Sequence, residues 1–282
     1  MRQVLAGLVI IFFASCDTPR YAYSPSAHNV PVLTKQGDSK VAANYSTNAD
    51  IQESNNQYSR NRSNGYDLQG AVAVTDHIAV QASYFSRKET SYGNSNFNSD
   101  SSVVRYKRNM IDFGAGYFTS INKKDKIFFQ VFAGAGFGKL KFTDAGRDFN
   151  NILYSRFYNS DLIKYYIEPA IIFRNSETFA ASLSTRLSVI NFKKVSTNYT
   201  LDEKRNFRLD SLNRYAIAFF EPAFVNSYGF KGLPGLRIEY QLGLSLALVR
   251  DDFINYRPFN FSVGLVFDIP KLIKGTANKS TN

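Results

Sequence analysis

Apolar and polar residues alternate along most of this chain with a period of two. From Leu236 to Leu248 every even position is large and apolar, while Arg237, Glu239, Gln241, Gly243, Ser245 and Ala247 fill the odd positions. Successive strand side chains point to opposite faces, so such a segment has one greasy face and one wet face. The run is longer than the roughly five or six residues of an ordinary soluble strand. It matches the roughly nine to eleven residues that a tilted strand needs to cross a bilayer.

The pattern recurs. Phe259, Phe261, Val263, Leu265 and Phe267 alternate with Asn260, Ser262, Gly264 and Val266, and Phe179 to Val189 and Ile163 to Phe173 behave the same way. Ile111 to Tyr117 alternates too, whereas Ile127 to Phe142 is less regular and predicts a bulge after Phe137. The spacing predicts about ten strands, near 38–46, 65–74, 78–87, 103–119, 126–142, 152–174, 177–192, 213–227, 234–249 and 258–268. Their connections alternate between short turns, such as Thr75-Asp76-His77 and Asn175-Ser176, and longer polar loops, such as Thr47 to Asn64 and Lys193 to Leu212. That asymmetry predicts an all-β fold, a closed antiparallel up-and-down transmembrane β-barrel. Lipid offers no hydrogen bonds, so a sheet within it must leave no edge. A soluble β-sandwich or lipocalin-like domain also alternates, but with shorter strands and without the loop asymmetry.

The ends of the chain read differently. Arg2, the apolar run Val4 to Phe13, and Ala14-Ser15 describe a secretory signal over 1–15. Cys16, the only cysteine, follows at once. It has no partner for a disulfide, and its position resembles a bacterial lipobox in which the cysteine is lipidated; an ordinary signal peptide cut nearby is the alternative. Residues 16–37, broken by Pro19, Pro25 and Pro31, read as a lipidated N-terminal tether outside the sheet. The barrel then occupies 38–269, and 270–282 reads as a polar periplasmic tail. An even strand number returns both ends of the barrel to the periplasmic side, which is where the N-terminus and its lipid are expected. The aromatic-rich composition without tryptophan suits strands, and Tyr106, Tyr165 and Tyr240 are candidates for interface girdles. A net charge of +11 would suggest nucleic acid in a cytoplasmic protein. Behind an export signal it suggests outer-membrane lipids, lipopolysaccharide or another outer-membrane protein as partners, and no nucleic acid.

Tyr23-Ser24-Pro25-Ser26-Ala27-His28-Asn29-Val30-Pro31-Val32-Leu33 followed by Gly37-Asp38, and Gly65 to Val80 with its Thr75-Asp76-His77 turn, resemble a family of predicted outer-membrane β-barrel lipoproteins of unknown function. The resemblance implies export and a barrel; it supplies no catalytic residues.

Candidate chemistry is sparse. A hydrolase needs a base beside its nucleophile, and only His28, in the tether, and His77, in a tight turn where Asp76 is expected to bond the local backbone, are available. No metal-ligand spacing or phosphate loop appears; Gly134-Ala135-Gly136-Phe137-Gly138 lies within a strand, where lumen-facing glycines relieve crowding. Parity sends Asp112, Lys164, Glu168, Arg186, Glu221, Arg237 and Glu239 to the lumen side, with Glu168 and Glu221 in matching Glu-Pro-Ala triplets. In a narrow barrel these charges are expected to pair and plug the interior, or else to line a small-solute channel. Lys107-Arg108, Arg147, Lys193-Lys194 and Lys204-Arg205 are expected at the outer loops. The reading is a non-enzymatic, cofactor-free accessory or surface barrel, with a channel as the alternative and a hydrolase or a soluble lipid-tethered domain less favoured.

Overall fold

A computed structural model describes residues 21–49, 62–94, 101–147, 150–176, 178–248 and 255–270. After a short β1 (Tyr21–Tyr23) come β2 (Ser39–Ala49), β3 (Arg62–Ala73), β4 (Ile78–Asn94), β5 (Ser101–Ser120), β6 (Ile127–Arg147), β7 (Leu153–Ser176) and β8 (Phe179–Thr197). A one-and-a-half-turn helix α1 (Leu201–Asn206) precedes β9 (Ile217–Phe230), β10 (Leu233–Leu244), β11 (Leu246–Ala247), β12 (Asn255–Tyr256) and β13 (Phe259–Phe267). β2 to β10 pair in sequence order, and β13 bridges β10 to β2. The sheet is therefore a closed antiparallel barrel of ten strands, β11 continuing β10 past a break at Ser245.

The burial rhythm explains why the strands close. On β7, the even positions from Tyr158 to Ile172 are buried, whereas Tyr165 and Phe173 are 57% and 44% exposed. Leu183, Leu242, Phe261 and Phe113 face outward in the same way on their strands. An apolar belt outside and a polar, filled interior make this a membrane-spanning barrel of the outer-membrane type. No helix among the described residues is long and apolar enough to cross a membrane; the crossing is by strands.

Four sequence expectations are corrected here. β6 pairs with β5 and β7 without a register shift, so there is no bulge after Phe137. Its apparent irregularity arises because Phe128, Phe132, Leu140 and Phe142 point inward against the barrel filling. Tyr106 belongs to no lipid-facing girdle, being buried inside and packed on Phe142. Arg108 does not sit in an outer loop but on β5, pointing inward. The strand expected to begin at 213 begins at Ile217, because the preceding residues fold over the barrel mouth instead.

The largest correction concerns the tether. Residues 22–33 do not hang free of the barrel; they run through its lumen. Tyr21–Tyr23 pair with β12 at the long-loop end, where Arg257 N–H donates to the Tyr23 carbonyl at 3.1 Å. At the short-turn end Gly37 N–H donates to the Ala73 carbonyl at 2.9 Å, and the chain turns into β2. Ala22, Ser24, Ser26, Ala27, His28, Asn29, Val30 and Leu33 are all 0–6% exposed. Proline keeps the segment out of the sheet, as expected. It does so inside the barrel, where small residues fit a narrow bore and the backbone carbonyls accept from side chains of the wall.

Candidate functional site

The candidate site is this filled lumen, organised in layers from the short-turn end outward. At the base, Leu33 packs on Ala73, Ala79, Phe118 and Phe132. Also toward this end, Val30 sits among Phe128, Ala170, Ile172, Ala180 and Val225. Asp38 fixes the bend into β2, its carboxylate accepting from Thr34 N–H at 2.8 Å and Thr34 Oγ1 at 2.6 Å. The turn at 75–77 departs from expectation in one detail. Thr75 Oγ1 accepts from Ile78 N–H at 2.9 Å, while Asp76 accepts from Gln36 N–H at 2.9 Å and so ties the segment's exit to the barrel.

The middle layers are ionic. Arg186 on β8 lies between the two Glu-Pro-Ala strands. Its Nε donates to Glu168 on β7 at 2.6 Å, and Glu221 on β9 stands 3.9 Å away. The remaining guanidinium donors reach the threaded segment, Ser26 Oγ at 3.1 Å and the Ala27 carbonyl at 3.3 Å. Lys164 pairs with Asp112 at 2.5 Å. Glu239 receives Lys40 at 3.0 Å and Gln241 at 3.0 Å; Gln241 also clamps His28, accepting from its N–H at 2.9 Å and donating to its carbonyl at 2.8 Å. Arg237 lies apart from these, near the short-turn end, donating to Ser227 Oγ at 3.1 Å.

Each side chain is placed by its strand and given room by its neighbours. A Cβ on Gly136 would lie 1.9 Å from Asp112 Oδ1, and one on Gly114 would lie 2.5 Å from the Tyr166 hydroxyl. Glycine at these two positions lets the Lys164–Asp112 pair and Tyr166 occupy the bore.

Above the middle, a second cluster escaped sequence reading. Glu89 receives both Arg108 and Arg257, the latter at 2.8 Å, and accepts from Ser24 Oγ at 2.9 Å. Arg87 donates to Asp67 at 2.7 Å and to Asn48 at 2.9 Å. Tyr23 donates to Glu221 at 2.5 Å and stacks on Phe219 with ring centres 4.3 Å apart. Parity carried beyond the apolar belt would have found Arg87, Glu89 and Arg108, since each shares the inward phase of its strand. The segment that binds them carries no periodic signal.

The outer mouth is closed by residues 198–216. Tyr199, Leu209 and Leu212 are buried with Tyr106, Phe142, Tyr158 and Phe192. Tyr199 donates to Asp144 at 2.9 Å. Helix α1 is fixed by a capping box between Thr200 and Glu203, and Glu203 also receives Arg156. Partial burial alone would raise the Glu203 carboxyl, but the hydrogen bonds from Arg156 and the Thr200 backbone outweigh it and hold the group below its usual range.

Two histidines were the only candidate bases. His77 is exposed in its turn and stacks on Tyr117. His28 has a serine and a carboxylate nearby, Ser184 Oγ at 3.0 Å and Glu168 at 3.9 Å, but both face the same ring nitrogen, Nδ1. A relay needs the acid and the nucleophile on opposite nitrogens. Glu168 is moreover engaged by Arg186, and His28 is buried under the segment's own packing. Among the described residues no group of three or more metal-ligating side chains converges. Cys16 and residues 271–282 lie outside the described residues.

No protein-family model matches the chain, and no curated protein matches it in sequence. Among solved structures, the translocator domain of the autotransporter NalP from Neisseria meningitidis is similar over 86% of this chain and 90% of its own, at 9% identity and a TM-score of 0.49. The outer membrane protease OmpT from Escherichia coli is similar over 86% and 99%, at 9% identity and a TM-score of 0.42. The outer membrane protein OprG from Pseudomonas aeruginosa is similar over 84% and 98%, at 10% identity and a TM-score of 0.35.

Proposed function

We propose that this chain is a non-enzymatic outer-membrane barrel sealed by its own N-terminal segment, serving an accessory role in the envelope and presenting its N-terminus on the outer face. The observation that carries the reading is the course of residues 22–33, buried through the bore and held by side chains from strands all around it. A conducting path would have to displace this segment from four ionic or amide clamps and also lift the lid over the mouth.

Lipid anchorage at Cys16 belongs to the same proposal, with its direction reversed from the sequence expectation. Tyr21 enters the lumen at the long-loop end. Five residues extend at most about 18 Å, less than the roughly 25 Å apolar band of such barrels. A lipid on Cys16 is therefore within reach of the outer leaflet and not of the inner one. Protease-cleavable epitopes inserted after Cys16 test this in intact cells. Cleavage without permeabilisation is expected; protection until the membrane is opened would refute it.

The seal is tested by conductance of the full chain in planar bilayers, where no steady current is expected. A steady ion-selective current from the unmodified protein would overturn the seal and restore the second reading, a narrow charge-lined channel. That reading draws its support from the acidic and basic rows that would line the bore once the segment left it, Glu168, Glu221 and Glu239 facing Lys40, Lys164 and Arg186.

A further inference from the structure

The outer surface carries a cationic feature that the sealed lumen does not use. Lys88 on β4 stands directly opposite Lys107 on β5, which stands directly opposite Lys141 on β6. All three are exposed on the outside of the barrel, and Arg105 lies one outward position higher on β5. Cβ atoms of directly paired residues lie about 4.5–5.5 Å apart, and like charges so placed repel one another. Three ammonium groups in one row therefore destabilise the sheet unless an anion stands against them.

The protein does not supply that anion among its described residues. None of the three lysines forms an ion pair there, and the next position along the row is Asn159. Glu89, beside Lys88 in sequence, points inward and is committed to Arg108 and Arg257. Asp161 faces outward but pairs with Lys194 at 3.4 Å. The row borders a shallow recess of about 440 Å³, bounded also by Thr90, Thr143 and Phe157.

Depth identifies the occupant. Lys88 and Lys107 each lie ten positions along their strands from the Ile78–Tyr117 pair near the short-turn end. About nine to eleven residues carry a tilted strand across the hydrocarbon, so the lysine row stands at the head-group level of the long-loop leaflet. Below it, past the outward pair Asn109–Lys139, the pair Ile111–Phe137 is exposed on the apolar belt. A ligand that fills this place has phosphate on the row and acyl chains on the belt below.

We propose that Lys88, Lys107 and Lys141 form a binding site for the phosphate groups of a phosphorylated glycolipid of the outer leaflet. This goes beyond the sealed-barrel reading and does not depend on it, since the site lies on the opposite face of the same strands. Each lysine near an anionic surface contributes about 1 kcal/mol, a factor of about five in affinity. Replacing all three by glutamine is then expected to weaken binding roughly a hundredfold.

The probe is lipid A in phosphatidylcholine nanodiscs holding the full chain, read by co-purified lipid in native mass spectrometry and by the thermal midpoint. The unmodified protein is expected to retain lipid A and to gain thermal stability from it. K88Q/K107Q/K141Q should lose both, while K193Q/K194Q on the same rim keeps both. A boiled-versus-unboiled mobility shift reports folding of each variant; should the triple variant fail it, K107Q alone is expected to cost about fivefold. Equal retention by the triple variant would overturn the proposal. So would equal retention of dephosphorylated lipid A, or stabilisation by phosphatidylglycerol as strong as that by lipid A.

Discussion

Removing Arg186 should be the most damaging single change in the barrel. The guanidinium is buried, holds Glu168 at 2.6 Å with Glu221 at 3.9 Å, and donates to Ser26 and Ala27 of the threaded segment. Arg186→Met keeps most of the volume but leaves Glu168 and Glu221 facing each other without the guanidinium that stands between them. Breaking a buried pair from one side costs about 3–5 kcal/mol, and each lost hydrogen bond to the segment adds about 1 kcal/mol. A total of about 5–7 kcal/mol is expected. With a urea slope of about 1–3 kcal/mol per molar, the unfolding midpoint in lipid vesicles should fall by roughly 2 M or more. The mechanism is uncompensated charge and not lost volume, so Arg186→Met combined with Glu168→Gln and Glu221→Gln should recover most of the loss. A cost below about 1 kcal/mol for the single substitution would refute the reasoning. It would mean that the carboxylates are solvated and that the bore holds water where the segment is placed.

Three further outcomes follow from particular contacts. Gly136→Val puts a Cβ where Asp112 Oδ1 now lies and should cost about 1–3 kcal/mol by overpacking, whereas Ala135→Val on the adjacent outward position should be near neutral in the same vesicle unfolding assay. Leu242→Arg, on the lipid face at 54% exposure, should destabilise by about 2–4 kcal/mol if the belt crosses the midplane there; insertion with unchanged stability would show that this face is wet. The lid should loosen in acid: the Glu203 carboxyl is held below its usual range when folded, so its contribution is complete above the unfolded value of about 4.3 and is lost as pH falls through the lower folded value. Limited proteolysis within 198–216 should accelerate there, and Glu203→Gln should abolish that pH dependence.

Much of the barrel was legible because its information is local. Period two over long runs names the strands, and the loop asymmetry names the two ends; the charges at Asp112, Lys164, Glu168, Arg186, Glu221 and Glu239 could be placed by parity alone. What parity cannot report is what fills the space they face. Residues 22–33 have the prolines and small side chains of a linker, and nothing within them distinguishes a linker in water from one whose carbonyls are bound by Gln69, Asn48 and Arg186. The β6 irregularity has the same origin, since its inward phenylalanines answer to the filling and not to the lipid. Tyr106 was misplaced because an aromatic near a strand's outer end reads alike whether it meets a membrane interface or the underside of a lid. Contacts between residues 198 or more positions apart, such as Tyr23 with Glu221, leave no local trace.

A chain that passes through a ring made of its own later residues sets an order of events. The ring closes where β13 joins β2, its last barrel strand meeting its first, and β2 begins directly after the segment that lies inside. Once that seam is zipped, inserting the segment requires an end to be pulled through a bore lined by arginine and glutamate. The productive path therefore wraps the strands around a segment already in place, so that seam closure is also the step that traps it. In this barrel, folding and threading are a single event.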